Sequence, residues 1–234
     1  MTDRVLLEDS RLSAAVASGQ TSGDPIYALF ERVAREYPIA GHLLDFGAGR
    51  GELARRMLRV SGIERVTCID MLHDEASIDS AMRWDTGDLN DKTPYDDQSF
   101  DVIVASEVIE HLENPRFVVR EWFRLLKPGG WIFFSTPNNE SLRSILALLF
   151  RGHYQAFGNE SYPAHITAIL HKDIERIVKE AGFELLGFRY TNHGMVPKLR
   201  RLSWQKLSFG FLGGKRFSDN VLVVCRRPKQ KSIR

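Results

Sequence analysis

Glu107, Glu110 and His111 follow directly on a strongly apolar run, Val102-Ile103-Val104-Ala105, in the segment Ser106-Glu107-Val108-Ile109-Glu110-His111-Leu112-Glu113-Asn114-Pro115. Two carboxylates and an imidazole can take a divalent cation through oxygen and nitrogen. Such a cation lowers the pKa of a coordinated hydroxyl and orients it. If the segment opens a helix, Glu107 shares a face with Glu110 and His111. His111 alone could instead serve as a general base with an ordinary pKa near 6.5. A third reading leaves Glu107 to a cofactor or water, with Glu110 and His111 bracing the loop.

A second group lies upstream, in Leu43-Leu44-Asp45-Phe46-Gly47-Ala48-Gly49-Arg50-Gly51-Glu52-Leu53. Alternate glycines after a short apolar run let the backbone turn sharply from strand to helix and approach a ligand closely. By itself the loop also suits nicotinamide and flavin enzymes, or a merely tight turn. Asp70, about twenty residues beyond Gly51, would end the next strand, where a carboxylate accepts both hydroxyls of a ribose. Asp88, in Gly87-Asp88-Leu89, could accept from the exocyclic amine of adenine while Leu89 packs on the ring. Either acid could also be an ordinary loop residue.

Positioning these groups requires strands and helices in alternation. The patterns predict strands over 42–46, 65–70, 100–106, 131–135, 183–190 and 220–226, and helices over 52–60, 115–126 and 172–181. A helix face of Ile26, Leu29, Phe30, Val33 and Ala34 precedes the first strand. Val102 to Ala105 is apolar on both faces, as in a parallel sheet covered on both sides. Lys127-Pro128-Gly129-Gly130 should stop a helix. The expected architecture is α/β and doubly wound, with ligand loops at the carboxyl ends of the strands. Residues 1–40 form an N-terminal helical cap and 41–234 the main domain, with 140–165 inserted as a lid.

Composition narrows the partners. At 234 residues and 43% hydrophobic content the chain can bury a sizeable core. A net charge of +2 gives no global field for nucleic acid. The C-terminal part is richer in Lys and Arg, among them Arg200, Arg201, Lys215, Arg216, Lys231 and Arg234, which suits a solvated surface. Cys68 and Cys225 sit in apolar runs, as expected of reduced, buried thiols in a cytoplasmic protein. No run is long enough to span a bilayer.

Six ordered motifs carry a resemblance: Leu43-Leu44-Asp45-x-Gly47-x-Gly49-x-Gly51, Asp70, Gly87-Asp88, Ser99-Phe100-Asp101-Val102-Ile103, Leu126-Lys127-Pro128-Gly129-Gly130 and Ala181-Gly182-Phe183. Over about residues 40–190 the chain resembles the class I S-adenosylmethionine-dependent methyltransferases. The resemblance implies a Rossmann-like seven-stranded sheet with helices on both faces and S-adenosylmethionine as cofactor. It assigns Asp45, Gly47, Gly49 and Gly51 to the methionine end, Asp70 to the ribose, and Asp88 with Leu89 to the adenine. Ala48, Met71 and Ser106 beside them complete the cofactor set. Alignment of acceptor and methyl group can then supply much of the acceleration.

The Glu-x-x-Glu-His cluster resembles two subgroups, the ubiquinone-pathway O-methyltransferases and the enzymes that methylate the terminal 2′-hydroxyl of small RNAs. In the RNA group a downstream histidine completes a metal site. His165 occupies the comparable place, which implies a set of Glu107, Glu110, His111 and His165. For the acceptor, Thr136-Pro137-Asn138-Asn139 would offer Asn138 and Asn139 to a polyhydroxyl compound, with His165 nearby. Both asparagines could equally be turn residues. With the leucine-rich insertion and His165-Ile166-Thr167, the pattern resembles bacterial methyltransferases of sugar and surface-polysaccharide synthesis. O-methylation of a sugar or similar metabolite is therefore expected first, a quinone-precursor phenol second and RNA third. A cofactor-binding sensor or partner subunit is the non-enzymatic alternative. Residues 141–151, apolar with arginine at each end, suit a lid or peripheral contact with a membrane.

Overall fold

The computed structural model describes residues 2–19, 21–60, 62–72, 82–199 and 202–229. Arg200, Arg201, Lys231 and Arg234 of the basic C-terminal part lie outside them. Two helices, α1 (Thr2–Ala17) and α2 (Asp24–Ala34), precede an alternating series. That series runs β1 (Gly41–Phe46), α3 (Glu52–Met57), β2 (Ile63–Asp70), β3 (Met82–Thr86), β4 (Phe100–Ala105), α4 (Pro115–Leu125) and β5 (Leu126–Pro137). It closes with α5 (Leu142–Arg151), α6 (His171–Glu180), β6 (Glu184–Tyr190), α7 (Trp204–Leu207) and β7 (Asn220–Arg226).

The seven strands form one sheet in the order β3-β2-β1-β4-β5-β7-β6. All neighbours are parallel except β7, which runs antiparallel to β5 and β6. Alternation along each strand divides the core. Phe46, Ile69, Ile103, Phe134 and Val223 pack with Trp122 of α4 and Ile174 of α6. Leu43, Cys68, Val104, Phe133 and Val224 pack on the other side with Phe30 and Val33 of α2 and Met57 of α3. Strands buried on both faces account for the unbroken apolar runs, and both cysteines are buried and free.

Several boundaries differ from expectation. The charged, alternating sequence Met-Arg-Trp-Asp-Thr of β3 lacks an apolar run, and its place at the sheet edge leaves it half solvated. The Lys127 to Gly130 run does not separate helix from strand. α4 passes straight into β5 at Leu126, and Gly129 and Gly130 exchange backbone hydrogen bonds with Arg227. α3 stops at Met57 rather than Val60.

Glu107 opens no helix. It adopts a left-handed φ of 56°, and only a single 3-10 turn, Ile109–His111, follows. Within 140–165, α5 is capped by the Ser141 hydroxyl, and a second 3-10 turn, Asn159–Ser161, leads into the segment carrying His165. No helix among the described residues is long and apolar enough to cross a membrane.

Candidate active site

Strand order reverses between β1 and β4, and the loops leaving their carboxyl ends open a crevice there. A cavity of about 390 Å³ fills it. Asp45, Gly47, Ala48, Gly49, Asp70, Met71, Asp88, Leu89 and Ser106 all line it, on the side of the cofactor motifs. Gly51 does not. It sits beneath Trp84, which a Cβ at that position would approach to 2.8 Å.

The glycines are required by geometry. Gly47 has φ +80°, and a Cβ there would lie 2.4 Å from Val108 Cγ2. Gly49 (φ 53°) turns its N–H to Asp70 Oδ2 at 2.8 Å, and Leu72 N–H donates to Asp70 Oδ1 at 3.1 Å. Burial raises the Asp70 carboxyl against these bonds.

Asp45 is 1% exposed, and neither of its oxygens has a partner at hydrogen-bond distance. Burial first, then the charge of Asp70, pushes its pKa up to about 7, and the nearby Ala54 N–H offsets only part of this. An orphaned buried carboxylate at a glycine cradle fits a ligand that brings its own positive charge. S-adenosylmethionine carries both an ammonium and a sulfonium, and Asp70 lines the cavity where the resemblance puts its ribose. When bound, it supplies an electrophilic methyl group.

Opposite, Glu107, His111 and His165 line the same cavity. Glu110 does not line it, yet its carbonyl organises the wall. Ile166 and Thr167 both donate their N–H groups to Glu110 O, at 3.0 and 2.9 Å, drawing His165 against His111. The two rings sit edge to face with centroids 4.7 Å apart. His111 Nδ1 bonds Ala164 O at 2.8 Å and His165 Nδ1 bonds Ala156 O at 2.7 Å. A carbonyl only accepts, so each Nδ1 carries the proton and each Nε2 keeps its lone pair.

Burial, then the neighbouring His165, lowers His111 to about 4, and burial lowers His165 as well. Both rings are neutral near pH 7. Glu110 is fully buried with neither oxygen partnered at hydrogen-bond distance, the Thr136 hydroxyl exerting only a weak pull. Ligand atoms of Glu110, His111 and His165 lie within 4.8 Å of one another. Nitrogen lone pairs oriented by backbone carbonyls, together with an unpartnered carboxylate, are a donor set that fits a divalent cation.

Glu107 is not part of that set. Its left-handed backbone turns the side chain to Ser135, whose hydroxyl donates to Oε1 at 2.8 Å, and to Asn220, whose Nδ2 donates to Oε2 at 2.7 Å. Ser135 Oγ also accepts the Glu107 N–H at 3.0 Å. Burial pushes Glu107 up to about 7, while these two donors pull it back. Glu110 receives no comparable help and stands well above the carboxylate range, raised by burial and then by Glu107.

Asn138 and Asn139 are likewise not where the sequence suggested. Each is 2% exposed and neither lines the cavity. Asn138 Nδ2 donates to the carbonyls of Lys215 and Ser218, and Asn139 Nδ2 to that of Ile169. They brace the 191–219 segment and the approach to α6. The residues that do complete the walls include Tyr27, Tyr162, Pro163 and Ile166, and Ser22, whose hydroxyl accepts from Ser106 Oγ at 3.0 Å. Of these only Ile166 stands in a pattern the sequence offered, His165-Ile166-Thr167.

Sheet order, glycine cradle and acid-tipped strands together define a Rossmann-like S-adenosylmethionine-dependent methyltransferase. The methyltransferase domain family matches residues 23–187, and the chain belongs to it. It is 33% identical over 211 residues to a ubiquinone biosynthesis O-methyltransferase of Paracidovorax citrulli, covering 81% of this chain and 79% of that one. A protein of the same name from Thiobacillus denitrificans is 29% identical over 176 residues, 70% and 74% of the two chains. Among solved structures, an S-adenosylmethionine-dependent methyltransferase from Archaeoglobus fulgidus superposes with a TM-score of 0.63 at 16% identity, over 86% of this chain and 92% of that one. This last likeness concerns the fold.

Proposed function

We propose that this methyltransferase transfers the methyl group to a phenolic hydroxyl of a quinone precursor. The observation that carries the reading is the acceptor side of the cavity, where Tyr162, Pro163 and Ile166 form an apolar and aromatic rim. The amides on which a sugar acceptor would depend are engaged with backbone carbonyls elsewhere. The relatives from Paracidovorax citrulli and Thiobacillus denitrificans, both ubiquinone biosynthesis O-methyltransferases, support the same class. A net charge of +2 speaks against RNA.

Glu110, His111 and His165 would hold a divalent cation, which would lower the pKa of the acceptor hydroxyl and orient it. Glu107, held between its two donors, would accept a hydrogen bond or the proton from that hydroxyl. Ile145, Leu148, Leu149 and Phe150 of α5 are exposed beside Arg151. They support peripheral contact with a membrane, from which an apolar-tailed phenol would be drawn. Buried free thiols suit a cytoplasmic setting.

The test is incubation of purified protein and labelled cofactor with a prenylated dihydroxyphenol, a sugar-nucleotide mixture and small RNA in parallel. Label is expected in the phenol alone, and excess chelator should abolish it. Label only in sugar or only in RNA overturns the phenol reading, and full activity in chelator overturns the cation.

A further inference from the structure

The first wall of the cavity comes from outside the matched family region, which begins at residue 23. Ser10, Arg11, Ala14, Ala15 and Ser18 of α1 and its C-terminal end line the cavity. Their spacing places them on one helix face. Small side chains at 14, 15 and 18 let that face come close to the ligand space.

Leu12 and Val16, the large apolar residues in its described second half, are 42% and 63% exposed. Arg11 of the same half ties the helix to the cavity wall by charge. Its guanidinium forks onto Glu113, Nε to Oε1 at 3.0 Å and Nη2 to Oε2 at 2.7 Å. Nη1 donates to Asp88 Oδ2 at 2.7 Å. Asn90 closes the ring: its N–H and Nδ2 donate to Asp88 Oδ1, and its Oδ1 accepts the Glu113 N–H. Arg11 is 15% exposed and Asp88 17%, so solvent screens this pair less than an open surface bridge.

We infer that Arg11 is a positioning residue for the cofactor: it pins α1 across the cavity by joining the adenine-side acid Asp88 to Glu113 of the acceptor loop. The inference rests on the methyltransferase reading of the cavity. It means that α1 must release Arg11 before cofactor or product leaves, and that the loop carrying Glu107 and His111 feels whether α1 is closed. Asp88 retains lone pairs for an adenine amine while bound to Arg11.

The experiment measures dissociation of S-adenosylhomocysteine from the full chain by stopped flow, with affinity from calorimetry. Arg11→Ala is expected to speed dissociation about tenfold and weaken affinity to match. Arg11→Lys, which keeps the charge and loses the fork, should fall between. Raising salt from about 0.05 to about 0.5 M should speed release from the wild type more than from Arg11→Ala, because only the former has the Arg11 latch to screen in addition to the charges that hold the ligand itself. Glu113→Gln added to Arg11→Ala should have no further effect. Asp9→Asn, on the exposed face of α1, should behave as wild type. Release from Arg11→Ala within twofold of wild type, with the same salt response, overturns the inference. A wild type that binds neither S-adenosylmethionine nor S-adenosylhomocysteine overturns the cofactor reading itself.

Discussion

The donor and acceptor sides of the cavity share a crevice and are built on different plans. The donor side is built from local backbone turns with an acid at each strand end. Glycines at 47, 49 and 51 bend the chain, and Asp45, Asp70 and Asp88 stand at or just beyond the ends of β1, β2 and β3. The acceptor side is an assembly of distant side chains: Glu107 held by Ser135 and by Asn220, 113 residues away, and His111 tied to Ala164, 53 residues away. The lesson concerns tolerance. A backbone-built site is damaged by adding atoms, whereas a site of converging side chains is damaged by removing partners.

The largest effect should come from adding an atom on the donor side. Gly47→Ala places a methyl 2.4 Å from Val108 Cγ2 at a φ that favours glycine. Val108 is stiff at χ1 and cannot easily yield. Cofactor affinity by calorimetry should fall on the order of a hundredfold, about 2.7 kcal/mol. An undiminished affinity would show that the loop gives way and break the contrast.

A smaller effect should follow from pH on the same side. Asp45 is raised from 3.8 to about 7, so between these values the folded protein binds more protons than the unfolded chain. The ligand-free protein should therefore lose stability as pH climbs through that window. A cationic ligand prefers the ionised carboxylate, so affinity should weaken by roughly tenfold for each unit of pH below about 7. In Asp45→Asn that dependence should flatten.

The smallest of the three tests removes a partner on the acceptor side. Asn220→Leu takes one donor from Glu107 and should lower kcat about fivefold while leaving cofactor affinity unchanged, since an ordinary hydrogen bond to a charged group contributes about 1.5–3 kcal/mol and Ser135 remains. A variant that lost cofactor affinity instead would join the two sides into one unit.

The donor side was legible because each of its signals is local. A glycine's freedom and an acid at a strand end follow from a few consecutive residues, and the motif order carried the fold with them. The grouping of Glu107 with Glu110 and His111 on one helix face does not form, because a left-handed φ at a glutamate has no signature in its neighbours. That φ depends on Ser135 and Asn220 on two other strands. Asn138 and Asn139 left two readings open for the converse reason: their place at a strand end is local, but the carbonyls of Lys215, Ser218 and Ile169 that engage them come from later segments. β3 escaped notice because an edge strand needs little apolar content.

By itself, then, the amino-acid order determined six of the seven strands and the glycine loop, since these rest on periodicity and backbone freedom within short stretches, while the donor's identity followed from the resemblance carried by the ordered motifs. Only the tertiary structure decided that Glu110 groups with His111 and His165 while Glu107 faces Ser135 and Asn220, and that Arg11 bars the cavity. Those outcomes depend on which distant donors reach a buried carboxylate, and the cost of leaving such a group unpaired is settled by three-dimensional packing.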